Sequence, residues 1–292
     1  MASEQNKKVI ELIKSRPMNP KASIEQRRAG MEKISERVAS DVVCTPTEAG
    51  GIGAEWVVAP GAALDRAILY LHGGGYVTGS IVTHRATAAR ISRASGARVL
   101  VIDYRLAPEH PFPAALEDAV AAYRWLAGRF DPRRIAFMGD SAGGGLALAT
   151  LYKLRDEGFA LPAAAVAVSP WTDLALTGPS LRANAAADPM LNVANLPTLA
   201  NDYLAGADPR HHYASPLYGD ASGLPPILIH VGSDEILRDD SIRMAEKLKA
   251  AGCDVEIEVW PRMPHAWHLF ARIIPEGRHA LARIGTFLQR RL

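Results

Sequence analysis

The chain reads as an α/β protein: a mostly parallel central sheet flanked by helices, with a helical cap at one edge. Three observations predict this. Strand-like and helix-like segments alternate from about residue 66 to the C-terminus. The strands among them are near-continuous apolar runs, the pattern of a sheet covered on both faces. One stretch, 173–216, breaks the alternation with an Ala/Asn/Asp/Pro-rich insertion.

Two helical patterns come first. Val9, Ile10, Leu12 and Ile13 make one apolar face, stopped by Pro17 and Pro20. Ser23 with Gln26 makes a capping box for a second helix, whose face carries Ile24, Met31, Ile34 and Val38. Neither face can stay in water, so both helices are expected to lie on the main domain. Segments 41–44 and 55–58 flank the turn Gly50-Gly51-Ile52-Gly53 and predict a hairpin. Strands are then expected over 66–71, 98–103, 134–138, 164–169, 226–231 and 255–260. Helices are expected over 85–94, 113–127, 142–156, 240–251 and 278–291. The insertion holds one helical segment, 193–204. It leaves a strand at its C-terminal end, the side where open α/β sheets hold their ligands. Cap helices are therefore expected over 1–45 and a cap insertion over 176–212, with the α/β domain formed by 46–175 and 213–292.

Composition narrows the function. With 292 residues, 48% hydrophobic and 22% charged, the chain has the makeup of an ordinary soluble globular protein. Its 33 basic residues face 31 acidic ones for a net charge of +2, which gives no electrostatic reason to expect nucleic acid. Cys44 and Cys253 make neither a disulfide framework nor a metal spacing, and read as thiols in a reducing cytoplasm. The N-terminus is polar and carries no secretory pattern. No apolar run reaches the ~18 residues of a membrane span. No metal and no cofactor is expected.

The chemistry-bearing motif is Gly139-Asp140-Ser141-Ala142-Gly143, a G-x-S-x-G set between an apolar strand and a helix. There the serine sits on a sharp, strained turn with its hydroxyl exposed at the sheet's carboxyl edge. The turn also aims the Ala142 amide and the helix N-terminus at negative charge developing beside the serine. Chance supplies such a pentapeptide about one time in ten, so the motif gains weight only from its partners.

A hydroxyl nucleophile needs a base, an orienting acid and an oxyanion hole. The base is expected on the loop after the last strand, in Pro261-Arg-Met-Pro-His265, with His268 as the close competitor. His84, His211, His212 and His279 read as solvent-facing, and His230 lies within a strand. The acid is expected after the preceding strand, in Gly232-Ser233-Asp234-Glu235. Asp234, first past the strand, is preferred to Glu235 and Asp239; Asp239 or Asp240 more naturally caps the helix that follows. His72-Gly73-Gly74-Gly75-Tyr76 follows a strand and predicts the oxyanion loop, with Gly73, Gly74 and Ala142 as donors and His72 as a brace. No Lys-Ser/Thr follows those glycines, so a phosphate-cradling loop is disfavoured. Tyr76, Met190, Leu191, Tyr203 and Trp267 are candidate pocket walls that could equally be core.

With these residues in hand, the chain resembles the hormone-sensitive-lipase-like (bacterial family IV) esterases of the α/β-hydrolase fold over roughly residues 66 to 280. The resemblance rests on His72–Tyr76, on Asp103-Tyr-Arg-Leu-Ala-Pro-Glu-His-Pro-Phe-Pro113 and on Gly139–Gly144. Ser169-Pro-Trp-Thr-Asp173, Asp234-Glu235 and Pro264-His265 complete it. It implies a serine carboxylesterase acting on short- to medium-chain acyl esters, with the chain order Ser141, Asp234, His265 and no cofactor. Dimers are frequent among such relatives. Within it, 103–113 reads as scaffold, with Arg105 and Glu109 as an internal pair. The same apparatus would serve an amidase, a deacetylase or an arylformamidase. A non-catalytic ligand-binding relative is disfavoured because serine, acid and histidine are all present.

Overall fold

The computed structural model describes residues 2–15 and 22–292. Its strands are β1 (Val43–Ala49), β2 (Ile52–Val58), β3 (Ala63–Leu71), β4 (Ala97–Ile102), β5 (Ile135–Asp140), β6 (Ala164–Val168), β7 (Ile227–Gly232) and β8 (Val255–Trp260). They form one sheet in the order β1-β2-β4-β3-β5-β6-β7-β8. The β1–β2 and β2–β4 pairings are antiparallel, and the pairings from β4 to β8 are parallel. Every residue of β5, β6 and β7 is buried, which is why these segments read as unbroken apolar runs.

The helices are α1 (Glu4–Ser15), α2 (Ile24–Lys33), α3 (Ile81–Ser95), α4 (Ala114–Ala127), α5 (Ala142–Asp156), α6 (Ser180–Ala183), α7 (Leu196–Leu204), α8 (Arg238–Ala250) and α9 (Pro275–Arg291). The period-2 alternation of the strands divides the core between the two faces of the sheet. Ile68 and Tyr70 share one face with Ile91 of α3 and Ile284 and Phe287 of α9. Leu69 and Leu71 share the other with Tyr123 of α4, Leu146 of α5 and Leu248 of α8. Each large aliphatic side chain fully buried there stabilises the fold by about 1.5–3 kcal/mol. No helix among the described residues is long and apolar enough to cross a membrane.

The N-terminal helices dock unequally. Val9 of α1 is buried with Met263, Trp267, Ile274 and Ala280, and Asn6 Nδ2 donates to Arg262 O at 3.1 Å. Pro17 and Pro20, expected to stop α1, lie outside the described residues. α2 has the predicted capping box, but no residue of it is fully buried and Ile34 is 81% exposed. The helix ends at Lys33, so Ile34 and Val38 fall beyond it and cannot extend its apolar face. Arg28 fastens α2 instead: Nε donates to Val77 O at 2.8 Å and Nη2 to Ala107 O at 2.9 Å. The same guanidinium is bidentate to Glu109, both bonds at 2.8 Å. Glu109 is thereby taken from its expected partner Arg105, which pairs with Asp118 and Glu117.

Within the insertion, the expected helix 193–204 resolves into a 3-10 turn, Val193–Asn195, followed by α7 with Pro197 in its first turn. Neither Asp239 nor Asp240 caps α8. Asp239 accepts from Ser180 N, and Asp240 is buried and accepts from Thr172 N and Asp173 N.

Candidate active site

Strand register brings the sequence motifs to one edge. Leu71 pairs with Gly139, Asp140 with Val168, and Gly232 with Trp260, so the residues following β3, β5, β6, β7 and β8 emerge side by side. Ser141 leaves β5 with φ 56 and ψ −123, a left-handed conformation that costs a non-glycine residue about 1–3 kcal/mol. Three hydrogen bonds hold it there. Its N–H donates to Val168 O at 2.8 Å, and its carbonyl accepts from Gly145 N at 3.1 Å and Trp171 N at 2.9 Å. A Cβ on residue 143 would stand 2.0 Å from Leu71 O, so only glycine lets α5 pack this closely against β3. Asp140 and Ala142 are buried while Ser141 keeps partial exposure, as the turn requires.

His265 occupies the predicted loop, 3% exposed. Its carboxylate partner is Glu235 and not Asp234. His265 Nδ1 lies 2.7 Å from Glu235 Oε2, and Glu235 is fully buried. Glu235 Oε1 accepts from Gly232 N at 2.6 Å and from Ser169 Oγ at 2.8 Å. Asp234 is half-buried, and its carboxylate accepts from the adjacent Ser233 Oγ at 2.7 Å. The reason is local geometry. Successive residues on the turn after β7 project in different directions, and the longer Glu235 side chain runs inward beneath Gly232 to reach the imidazole. Burial pushes the His265 imidazole down, but the Glu235 carboxylate overrides it, and Asp188 and Asp140 add to the pull, so its pKa lies above the ordinary 6.5. His268 turns away: its Nε2 lies 3.1 Å from His230 Nδ1 beneath the loop, and burial pushes it well below 6.5.

The glycine loop is organised by buried polar groups. His72 Nδ1 lies 2.8 Å from Gly73 O, and the ring stacks on Tyr104 at 4.2 Å, consistent with a brace. His84 is buried beside it and not solvent-facing, 3.5 Å from Asp140. Asp140 accepts from Tyr70 Oη at 2.6 Å and from Gly73 N at 3.3 Å. Although burial opposes ionisation, His84 and the Tyr70 hydroxyl hold Asp140 down at about 2. The Gly73 amide, expected as an oxyanion donor, is therefore engaged by a carboxylate. Among the described residues, the N–H groups of Gly74, Gly75 and Ala142 have no such acceptor. Gly74 has φ 124, and a Cβ there would meet Thr78 O at 2.1 Å.

Residues of the insertion contact the turn after β7 and the glycine loop at this edge. Asn184 Nδ2 donates to Ser233 O and Glu235 O, and Asp188 accepts from Ile236 N, Met190 N and Leu191 N. Met190 and Leu191 are half-buried. Tyr203 stacks on Tyr76 with ring centres 3.7 Å apart, which joins α7 to the glycine loop. Leu199, one helical turn before Tyr203, sits 3.1 Å from where a Gly75 Cβ would be. Its i, i+4 relation to Tyr203 was the signal for it, and sequence reasoning missed it. Trp267 is no pocket wall: it is buried with Val9 and Ile274 below the His265 loop.

Residues 68–269 match a family model described as the α/β hydrolase fold. An acetyl-hydrolase of Streptomyces hygroscopicus is 45% identical, covering 99% of this chain and 97% of its own length. A crystal structure of an esterase from the bacterial hormone-sensitive lipase family is 49% identical, covers 100% of this chain and 99% of its own, and aligns with a TM-score of 0.97. The structure of EstE5 soaked with p-nitrophenyl butyrate is 47% identical, covers 99% of each chain and aligns at 0.96.

Proposed function

The chain belongs to the α/β-hydrolase family, among its bacterial hormone-sensitive-lipase-type esterases, and on that premise we propose that it hydrolyses short- to medium-chain acyl esters through Ser141, His265 and Glu235. The reading is carried by the 2.7 Å contact between His265 Nδ1 and Glu235, made at the sheet edge where Ser141 stands on its strained turn.

Ser141 Oγ attacks the ester carbonyl as His265 Nε2 takes its proton. The Nδ1–H of His265 donates to Glu235, which fixes the productive tautomer and stabilises the imidazolium. The tetrahedral oxyanion receives hydrogen bonds from Ala142 N–H and, in place of the engaged Gly73 amide, from Gly74 N–H and Gly75 N–H. Each such donor contributes about 3 kcal/mol to the transition state. The C–O bond to the alcohol then breaks, His265 protonates the departing alkoxide, and an acyl-Ser141 ester remains. Water, deprotonated by His265, attacks that ester through a second oxyanion, releasing the acid and restoring the serine.

Residues 176–212 act as a cap, with Met190, Leu191 and Leu199 facing the acyl chain. The half-buried state of the first two and the closeness of Leu199 to the glycine loop support a pocket of limited length. A solved relative named as an esterase and another soaked with p-nitrophenyl butyrate favour esters over amides for the same apparatus.

The test is a p-nitrophenyl ester series from acetate to dodecanoate. It should give a burst of p-nitrophenol stoichiometric with enzyme wherever deacylation is slower than acylation, with turnover falling beyond medium chains. Ser141→Ala should abolish both burst and turnover. Wild-type protein that turns over no ester in the series would overturn the proposal.

A further inference from the structure

Ser169 belongs to the segment 169–173, whose apolar and polar groups the mechanism above leaves unused. It is fully buried, and it adopts φ +47, a backbone conformation unusual for a residue with a side chain. Its N–H donates to His230 O at 2.7 Å, which locks it to the end of β7. Its hydroxyl is bonded on both sides. It donates to Glu235 Oε1 at 2.8 Å and accepts from Ala266 N, the residue after His265, at 3.1 Å. The flanking residues grip the nucleophile turn: Val168 O accepts from Ser141 N at 2.8 Å, and Trp171 N donates to Ser141 O at 2.9 Å. Residues 168–171 thus touch the turn of the serine, the carboxylate and the loop of the histidine.

We infer that Ser169 is a positioning residue for the reaction, setting the distance and angle between Glu235 and the His265 imidazole. The inference rests on the esterase reading of Ser141, Glu235 and His265. A hydroxyl suits the task because one atom serves as donor to the carboxylate and acceptor for the backbone amide. It ties the two loops to each other as well as to the sheet. Apart from His265 itself, Glu235 keeps one donor, Gly232 N on Oε1, so loss of the hydroxyl leaves Oε1 on a single contact and lets the carboxylate turn relative to the imidazole. The strained backbone of Ser169 is what brings its side chain into line with both loops.

The experiment measures kcat and KM on p-nitrophenyl butyrate for wild type, Ser169→Ala, Glu235→Gln and the double variant, with circular dichroism and thermal melts on each. Ser169→Ala should lower kcat about 10- to 100-fold, as sub-ångström misplacement of a catalytic pair does, with KM changed less than threefold. In the Glu235→Gln background the same substitution should lower kcat less than threefold, because the contact it serves is already lost. A merely structural serine would lower both backgrounds equally or act through KM, and either result overturns the inference, as does a Ser169→Ala enzyme with wild-type kcat. Should Ser169→Ala not fold, Ser169→Cys carries the same cycle, since it keeps the volume and replaces the hydroxyl by a weak donor. Failure of the esterase reading is distinguishable, because it would appear as wild-type protein without turnover.

Discussion

Glu235→Gln and Asp234→Asn are near-isosteric changes on adjacent residues, and the structure predicts opposite outcomes for them. In Glu235→Gln the amide must choose which atom faces His265. Gly232 N–H can only donate, and it stands 2.6 Å from the Oε1 position; Ser169 Oγ stands 2.8 Å from the same point and already accepts from Ala266 N. The amide oxygen is therefore held at Oε1, and the NH2 takes the Oε2 position, 2.7 Å from His265 Nδ1. An NH2 there donates to Nδ1, so the ring proton moves to Nε2, the atom that should receive the serine proton. The comparable wrong-tautomer substitution in a serine protease lowers kcat by about 10⁴, and a loss of the same order is expected for Glu235→Gln. It corresponds to about 5.4 kcal/mol of transition-state stabilisation. Asp234→Asn leaves that contact untouched and should change kcat less than about threefold. Steady-state hydrolysis of p-nitrophenyl butyrate, with thermal melts to confirm folding, decides the matter. A loss of 10³ or more in Asp234→Asn, or near-wild-type turnover in Glu235→Gln, would refute the reasoning.

Other outcomes are expected as well. The base must be neutral and its pKa is raised, so log(kcat/KM) should fall with unit slope as pH drops through an apparent value above 6.5, and the residual activity of Glu235→Gln should show that value lowered. By linkage, the His265–Glu235 contribution to stability runs the other way: it is fully present below pH 6.5 and lost as pH rises through the folded value. Gly74→Ala should cut kcat at least about 100-fold, since its Cβ would displace an oxyanion donor. Gly75→Ala carries the strain of a φ of 63, but its Cβ meets only the end of the Leu199 side chain and no backbone, so it should fold with a smaller loss than Gly74→Ala. Tyr203→Phe removes a buried hydroxyl that has no partner among the described residues and should hold or raise Tm, by up to about 3 °C in a scanning melt.

The sheet was legible because β5 to β7 are buried on both sides, so their sequences carry little but apolar residues. The serine turn was legible because its glycines answer to steric demands that neighbouring backbone imposes. The acid was not. Spacing locates the turn after β7, but which of Asp234 and Glu235 points inward depends on a turn geometry that periodicity does not encode. The Gly73 amide was misjudged for a related reason: its competitor, Asp140, comes from another strand, and only the fold brings them within 3.3 Å. His84 was hidden by the small residues around it on α3, where Ala86, Ala88 and Ala89 bury a face that looks weakly apolar in sequence. Ile34 erred the other way, because the helix ends at Lys33 while the apolar periodicity runs on to Val38.

The fastening of α2 by Arg28 has a consequence for how such a protein can diverge. No residue of Ile24–Lys33 is fully buried, so most substitutions there shift stability by less than about 0.5 kcal/mol. Arg28 is an anchor of the helix, since its guanidinium satisfies two backbone carbonyls and a carboxylate at once. Exposed positions of this helix such as Glu25, Ala29 and Lys33 can therefore change while the sheet and its packing stay untouched. Variants that diverge in sequence should accumulate changes at such exposed positions while Arg28 stays.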